Sequence, residues 1–332
     1  MRTLAWIFFD ENARRPRAAW RLAIQFIAFV LATALFTSLI AIVSFFVAGG
    51  ASSEEEALSA PLFFAGSLGS VLAILLTLYL AARYLDRRPF GDFGFHLSAG
   101  WWADLGFGLL LGALLMTLIF LLELSLGWVS VTGAFETTGS DSPFALAILL
   151  PLGIFLCVGF YEEALSRGYQ LRNAAEGLNY PALGPRGAVV LAWVLSSVFF
   201  GALHAANPNA TLISSLNIAL AGIMLGAGYV LTGELAIPIG LHITWNFFQG
   251  NVYGFPVSGL PPIGATFVST EQRGPEALTG GPFGPEAGFI GVTAMLLGII
   301  LTCLWVRLRY GRLAIHAPLA EYKPPAGATP AS

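Results

Sequence analysis

The strongest constraint on this chain is a series of eight apolar runs, each long enough to cross a lipid bilayer. They cover approximately residues 22–47, 62–82, 105–128, 144–168, 187–206, 212–232, 235–253 and 288–306. A helix needs about 20 apolar residues to span the hydrocarbon core. Lipid offers the backbone no hydrogen-bond partners, so only helices and closed barrels cross it. These runs are too long and too continuous for barrel strands, which alternate over about 10 residues. Of the 332 residues, 56% are hydrophobic and 11% are charged, with a mean hydropathy of +0.76. That is too little charge to cover the surface of a soluble protein. The expected fold class is all-α: a single polytopic membrane domain of about eight transmembrane helices.

The connections set the expected orientation. Arg14, Arg15, Arg17 and Arg21 precede the first run, and Arg83, Arg87 and Arg88 follow the second. Arg172 and Arg186 flank the link from the fourth to the fifth, and Arg307, Arg309 and Arg312 follow the last. The alternate links "SSEEEAL", "AFETTGSDSP" and "NPNAT" carry no Lys or Arg. Positive charge is retained on the cytoplasmic side, which predicts that both termini are cytoplasmic. The organisation that follows is a cytoplasmic amphipathic lead-in over 1–21, with Trp6, Phe8 and Phe9 at the interface, and helices 1–3 over 22–128. A transmembrane core of helices 4–7 covers 144–253 and an irregular extracytoplasmic loop 254–287. Helix 8 covers 288–312, and a disordered tail 313–332.

The formal net charge of −3 comes with no basic patch, so no nucleic-acid partner is expected. The two cysteines, Cys157 and Cys303, both lie in apolar runs and suggest neither a disulfide framework nor a CxxC metal site. No internal repeat is evident, which weakens an inverted-repeat transporter reading. In "GFGLLLG", Gly108 and Gly112 lie four apart within a membrane run, a spacing that lets two helices approach closely. Glu123 and Glu234 fit interfacial and turn positions, and His96 and His316 receive no role.

Against this background a few polar residues stand out, because ionisable groups within membrane helices are costly and face the protein interior or a wet cavity. Glu162 and Glu163 follow the oily run "FALAILLPLGIFLCV", and Arg167 lies four residues after Glu163. That spacing lets Glu163 and Arg167 pair along a helix. Glu162 points about 100° away, free to face a cavity that the pair braces. His204 closes "WVLSSVFFGALH", four residues after Phe200, and His242 and Asn246 share one helical face in "GLHITWNFF". At 1.5 Å per residue, Glu162, His204 and Asn246 come to overlapping depths of roughly 16–26 Å from the cytoplasmic helix ends. His242 lies shallower, with Pro238 as a place for a kink.

A carboxylate beside an imidazole, away from bulk water, can take a proton from a water molecule. A second His with an Asn can donate hydrogen bonds to a developing oxyanion. These are the parts of an amide hydrolase. The same His204, His242 and Glu162 are also a donor set for a divalent metal such as zinc, although no HExxH helix is present.

The strings "EEALSR", "FGALH" and "HITWN" match the patterns EExxxR, FxxxH and HxxxN, in this order on successive apolar runs. In this the chain resembles the CPBP family (the CAAX prenyl proteases, bacteriocin-processing and Abi-type immunity proteins) over about residues 146–250. The resemblance implies an intramembrane endopeptidase of a cell membrane, expected to be a prokaryotic inner membrane, acting on a membrane-associated peptide or protein. It implies that Glu162 and His204 activate water, that His242 and Asn246 form the oxyanion site, and that Glu163 with Arg167 supports them. Both a metal-dependent and a metal-free glutamate mechanism are consistent with that family. Ser166 departs from the aromatic residue common before the motif arginine, and "AAEGLNYPALGPRG" lengthens the spacing from Glu to His. Two other classes use the same residues: a non-catalytic immunity or scaffold protein, and a proton-coupled transporter.

Overall fold

The apolar runs fold into eight helices. In a computed structural model, residues 5–10, 14–47, 55–138 and 142–322 are described. Helix α1 is Ala18–Val47, and α2 is Glu55–Leu80, prolonged by a π-helical turn, Ala81–Asp86. Helix α3 is Ala99–Ser125, whose first turn is capped by Ser98 Oγ accepting from the N–H of Trp101. Helix α4 is Leu149–Glu163 and runs on through a π-helical stretch, Ala164–Leu171, into Arg172–Gly177. Helices α5, Gly184–Leu203, and α6, Leu212–Thr232, follow. Thr211 and Ser214 form a reciprocal capping box at the start of α6, and Gly233, at φ +80°, ends it in the left-handed conformation that favours glycine. Helix α7 is Ala236–Phe247, continued by a π turn, Phe248–Val252, and α8 is Phe289–Tyr310.

Among the described residues, seven helices are long and apolar enough to cross a membrane. The seventh expected run forms α7, which is shorter. It has no need of a lipid-facing length, because it lies inside the protein. Every residue from Ala236 to Ile243 is buried, and α7 packs against α3, α4 and α6. An all-round apolar helix suits such a place. Its contact with α3 is the closest in the bundle. A Cβ on Gly108 would lie 2.4 Å from the Ile237 carbonyl oxygen, and one on Gly112 2.5 Å from that of Leu241. From the facing side, a Cβ on Gly240 would lie 2.4 Å from the Leu105 oxygen. The small residues read from "GFGLLLG" thus set the distance between two backbones. Pro238 makes no kink. It sits in the first turn of α7, where its missing N–H has no intrahelical partner to lose. The outer surface is apolar, with residues such as Leu110, Leu212 and Phe46 more than two-thirds exposed, as lipid contact requires.

Two segments differ from expectation. The loop 254–287 is not irregular throughout. Its strand β2, Ala265–Gln272, pairs antiparallel with β1, Val129–Thr137. Alternating Thr, Val and Ser suit a strand, but the partner lies over 100 residues away, so no local pattern announced the pairing. Glu123, expected at the interface, is fully buried beneath this sheet and receives Gln272 Nε2 at 3.1 Å.

The expected disordered tail also needs correction. Residues 323–332 lie outside the described residues, as does the side chain of Trp6. Residues 313–322, however, are packed. Leu319 and Ala320 are buried, His316 N–H donates to the Val230 oxygen, and Asn179 Nδ2 to that of Ala320. The Arg15 guanidinium lies over the Tyr322 ring, 3.5 Å from its centre. The described parts of both chain ends therefore meet at the same end of the bundle. Arg15, Arg21 and Arg88 all converge there on Glu176, and Arg21 also holds Asp86 at 2.7 Å. A low-complexity composition hid two apolar anchors and an aromatic ring that find partners only in the folded bundle.

Candidate active site

The polar residues of the core converge because α4, α5 and α7 surround a single cavity. Its volume is about 450 Å³, and Glu162, Phe200, His204, His242 and Asn246 all line it. Glu163 and Arg167 do not; they stand behind the wall, fully enclosed. Helix α4 turns π-helical immediately after Glu163, an irregularity that often marks functional positions.

The geometry divides the two glutamates. Glu163 Oε1 accepts from Arg167 Nη1 and from His242 Nδ1, both at 2.8 Å. Arg167 Nη2 also donates to the Gly222 oxygen at 3.0 Å, and its guanidinium lies 4.6 Å from the centre of the Phe200 ring. This is a closed arrangement that fixes the face of the His242 ring. Since Glu163 accepts at Nδ1, His242 turns Nε2 to the cavity, 3.9 Å from Glu162 Oε2. That oxygen is buried and makes no hydrogen bond among the described residues. The other oxygen of Glu162 accepts a 3.3 Å bond from the Tyr161 hydroxyl.

On the facing wall, His204 ends α5. Its Nδ1 is 2.8 Å from the Phe200 carbonyl oxygen. A carbonyl only accepts, so Nδ1 carries the hydrogen and Nε2 is the free nitrogen. The Phe200 ring packs against both imidazoles, at centroid distances of 4.7 Å to His204 and 6.2 Å to His242. Asn246, one turn beyond His242 on α7, completes the polar wall. Aromatic residues of α1, α2 and α4, including Phe26, Phe29, Phe63 and Phe155, add an apolar wall.

Residues 144–248 match the family described as type II CAAX prenyl endopeptidase, Rce1-like. Over this segment the chain is similar to the CAAX protease family. The match begins at the short helix that leads into α4 and ends just after Asn246, so it encloses Glu162, Glu163, Arg167, Phe200, His204, His242 and Asn246. No curated protein matches the chain, and no solved structure does.

The metal alternative must be tested on the donors themselves. Zinc needs three or four donors about one point. Among the described residues no three His, Cys, Asp or Glu side chains gather in that way. Glu163 is taken up by His242 Nδ1 and Arg167, so the donors turned to the cavity are Glu162 Oε2 and the Nε2 atoms of His204 and His242. They do not gather about one point as zinc requires. Cys157 is half-buried and free, and it does not line the cavity.

Sequence reasoning missed four polar cavity residues. Tyr161 reads as one more aromatic in an apolar run, yet its hydroxyl reaches Glu162. Asn207 lies in a turn, Ser258 in the long loop, and Glu286 just before α8. The only signal available for Glu286 was a single acidic residue in the Gly- and Pro-rich stretch "TGGPFGPEAGF".

Proposed function

We propose that the chain is an intramembrane endopeptidase that hydrolyses a peptide bond of a membrane-associated substrate. A single observation carries this reading: the unpartnered Glu162 oxygen stands at a cavity within the helix bundle, with two imidazoles and an amide on the same walls. The 3.9 Å gap between Glu162 Oε2 and His242 Nε2 is too wide for a direct hydrogen bond and suits a water between them.

Glu162 removes a proton from this water as it attacks the scissile carbonyl, with His204 approaching from the facing wall. The carbonyl oxygen gains negative charge. Asn246 Nδ2 donates to it, and so does Nε2–H of His242, whose ring enters the cycle already carrying both protons and keeps them throughout, its charge balanced by the Glu163 carboxylate behind it. Glu162 then returns the proton to the departing amine. Arg167 holds Glu163 in place and touches no substrate. Water exclusion by Phe26, Phe29 and Phe63 strengthens each of these electrostatic contacts. No step passes through a metal.

The test uses purified protein in lipid–detergent micelles and a quenched fluorescent peptide carrying a farnesylated CAAX end, with its unprenylated counterpart alongside. Cleavage by the wild type, and its loss in a folded Glu162→Gln variant, is the expected result. Equal cleavage by both proteins overturns the reading.

A further inference from the structure

Outside the family-matched segment the cavity is lined by residues of α1 and α2, by Glu286 and by the stretch 257–263. That stretch forms one wall, contributing Val257, Ser258, Leu260, Pro261, Pro262 and Ile263. Apart from a single bridge between Val257 and Leu260, this wall belongs to no helix or strand. Something other than regular structure must hold it against the cavity.

Glu286 provides much of that hold. Its Oε1 accepts from Ser258 N–H at 2.5 Å and from Ser258 Oγ at 3.2 Å. Its Oε2 accepts from Gln249 Nε2, which also donates to the Pro256 oxygen at 2.6 Å. Ser258 sits at φ +49°, a conformation that a non-glycine residue keeps only when its surroundings impose it. Glu286 is 2% exposed, so its charge or its proton must be met by these partners alone. From the other side, Asn207 Nδ2 donates to the Ser258 oxygen at 3.0 Å. Asn251 Nδ2 fixes the far end through the oxygens of Ile263 and Ala265. Asn207 follows His204 by three residues, so the strap joins the wall to the turn that carries an imidazole of the site.

We propose that Glu286 is a positioning residue for substrate binding: it straps residues 257–263 into place as a wall of the catalytic cavity, against which the bound peptide packs. The proposal rests on the endopeptidase reading. A rigid wall lowers the cost of ordering the site when substrate enters, so its loss weakens binding more than it slows chemistry.

The farnesylated CAAX peptide serves again as probe, with full-length protein. Glu286→Ala is expected to raise KM about tenfold and leave kcat within about twofold. In a Glu162→Gln background, which binds without cutting, the same change should raise the Kd for the peptide about tenfold. Amide hydrogen exchange at residues 257–260 should quicken in the variant while α2 and α3 keep their protection. Asn207→Ala pulls the strap from its other side and should raise KM about threefold. It decides the matter should Glu286→Ala fail to fold. Unchanged KM and unchanged exchange at 257–260 overturn the proposal, as does a fall in kcat at constant KM. Should the wild type cut neither peptide, the endopeptidase reading fails, and with it the proposal.

Discussion

Two clusters of buried charge in this apolar protein invite comparison. At the end of the bundle where the chain ends meet, Arg15, Arg21 and Arg88 surround Asp86 and Glu176. In the core, Glu162, Glu163 and His242 share a single guanidinium, that of Arg167. With Arg172, 3.8 Å from Glu176, the first cluster has four arginines for two carboxylates, and each carboxylate lies against more than one of them. The second has one arginine for two carboxylates. Arg167 is committed to Glu163, so Glu162 is left with a tyrosine, an imidazole at a distance and a cavity. Surplus cation closes a cluster into a clamp that ties helix ends together. Scarce cation leaves a Glu162 oxygen without a hydrogen-bond partner among the described residues, beside a cavity. The clusters differ in this ratio and in exposure: the clamp carboxylates are at most 3% exposed, whereas the Glu162 side chain is 20% exposed.

The largest effect that separates them is on rate. Glu162→Gln should lower peptide cleavage about 10³-fold, the scale on which a general base acts, while leaving thermal unfolding in detergent unchanged. A matching fall in unfolding temperature would mean that Glu162 belongs with the clamp. Next, Glu176→Ala leaves Arg15 without a carboxylate and Arg21 and Arg88 with Asp86 alone, and should cost about 3–5 kcal/mol of stability, with activity per folded molecule preserved. Denaturation followed by tryptophan fluorescence measures the first and the peptide assay the second.

Glu286 is a buried carboxylate of a third kind, with no cation beside it and only neutral donors. Burial pushes its pKa up from 4.5 to about 7, against the pull of its hydrogen bonds. The folded protein thus binds a proton there more tightly than the unfolded chain does. The stabilisation is complete below the unfolded value and is lost as pH rises through about 7, at about 3 kcal/mol in all. Unfolding measured between pH 4.5 and 8 should show this decline, and Glu286→Gln should flatten it. The smallest effect concerns the rim of the clamp. Tyr322→Ala removes the ring beneath Arg15 and should cost about 0.5–1 kcal/mol, detectable as a small drop in unfolding temperature with unaltered cleavage.

The sequence determined by itself what depends on local physics. Twenty apolar residues in a row specify a helix that crosses lipid, since no other local structure satisfies its backbone there. Spacing of four along a helix placed Glu163 with Arg167 and His242 with Asn246 on common faces. The glycines of α3 announced a close contact, though not its partner. Only the tertiary structure decided which helices stand beside one another. That placed His242 Nδ1 on Glu163, paired β1 with β2 across more than 100 residues, and brought Asp86 within reach of Arg21. It also drew Ser258, Glu286 and the packed residues 313–322 out of segments whose composition reads as loop. Such contacts depend on where distant segments meet, and no periodicity along the chain encodes that.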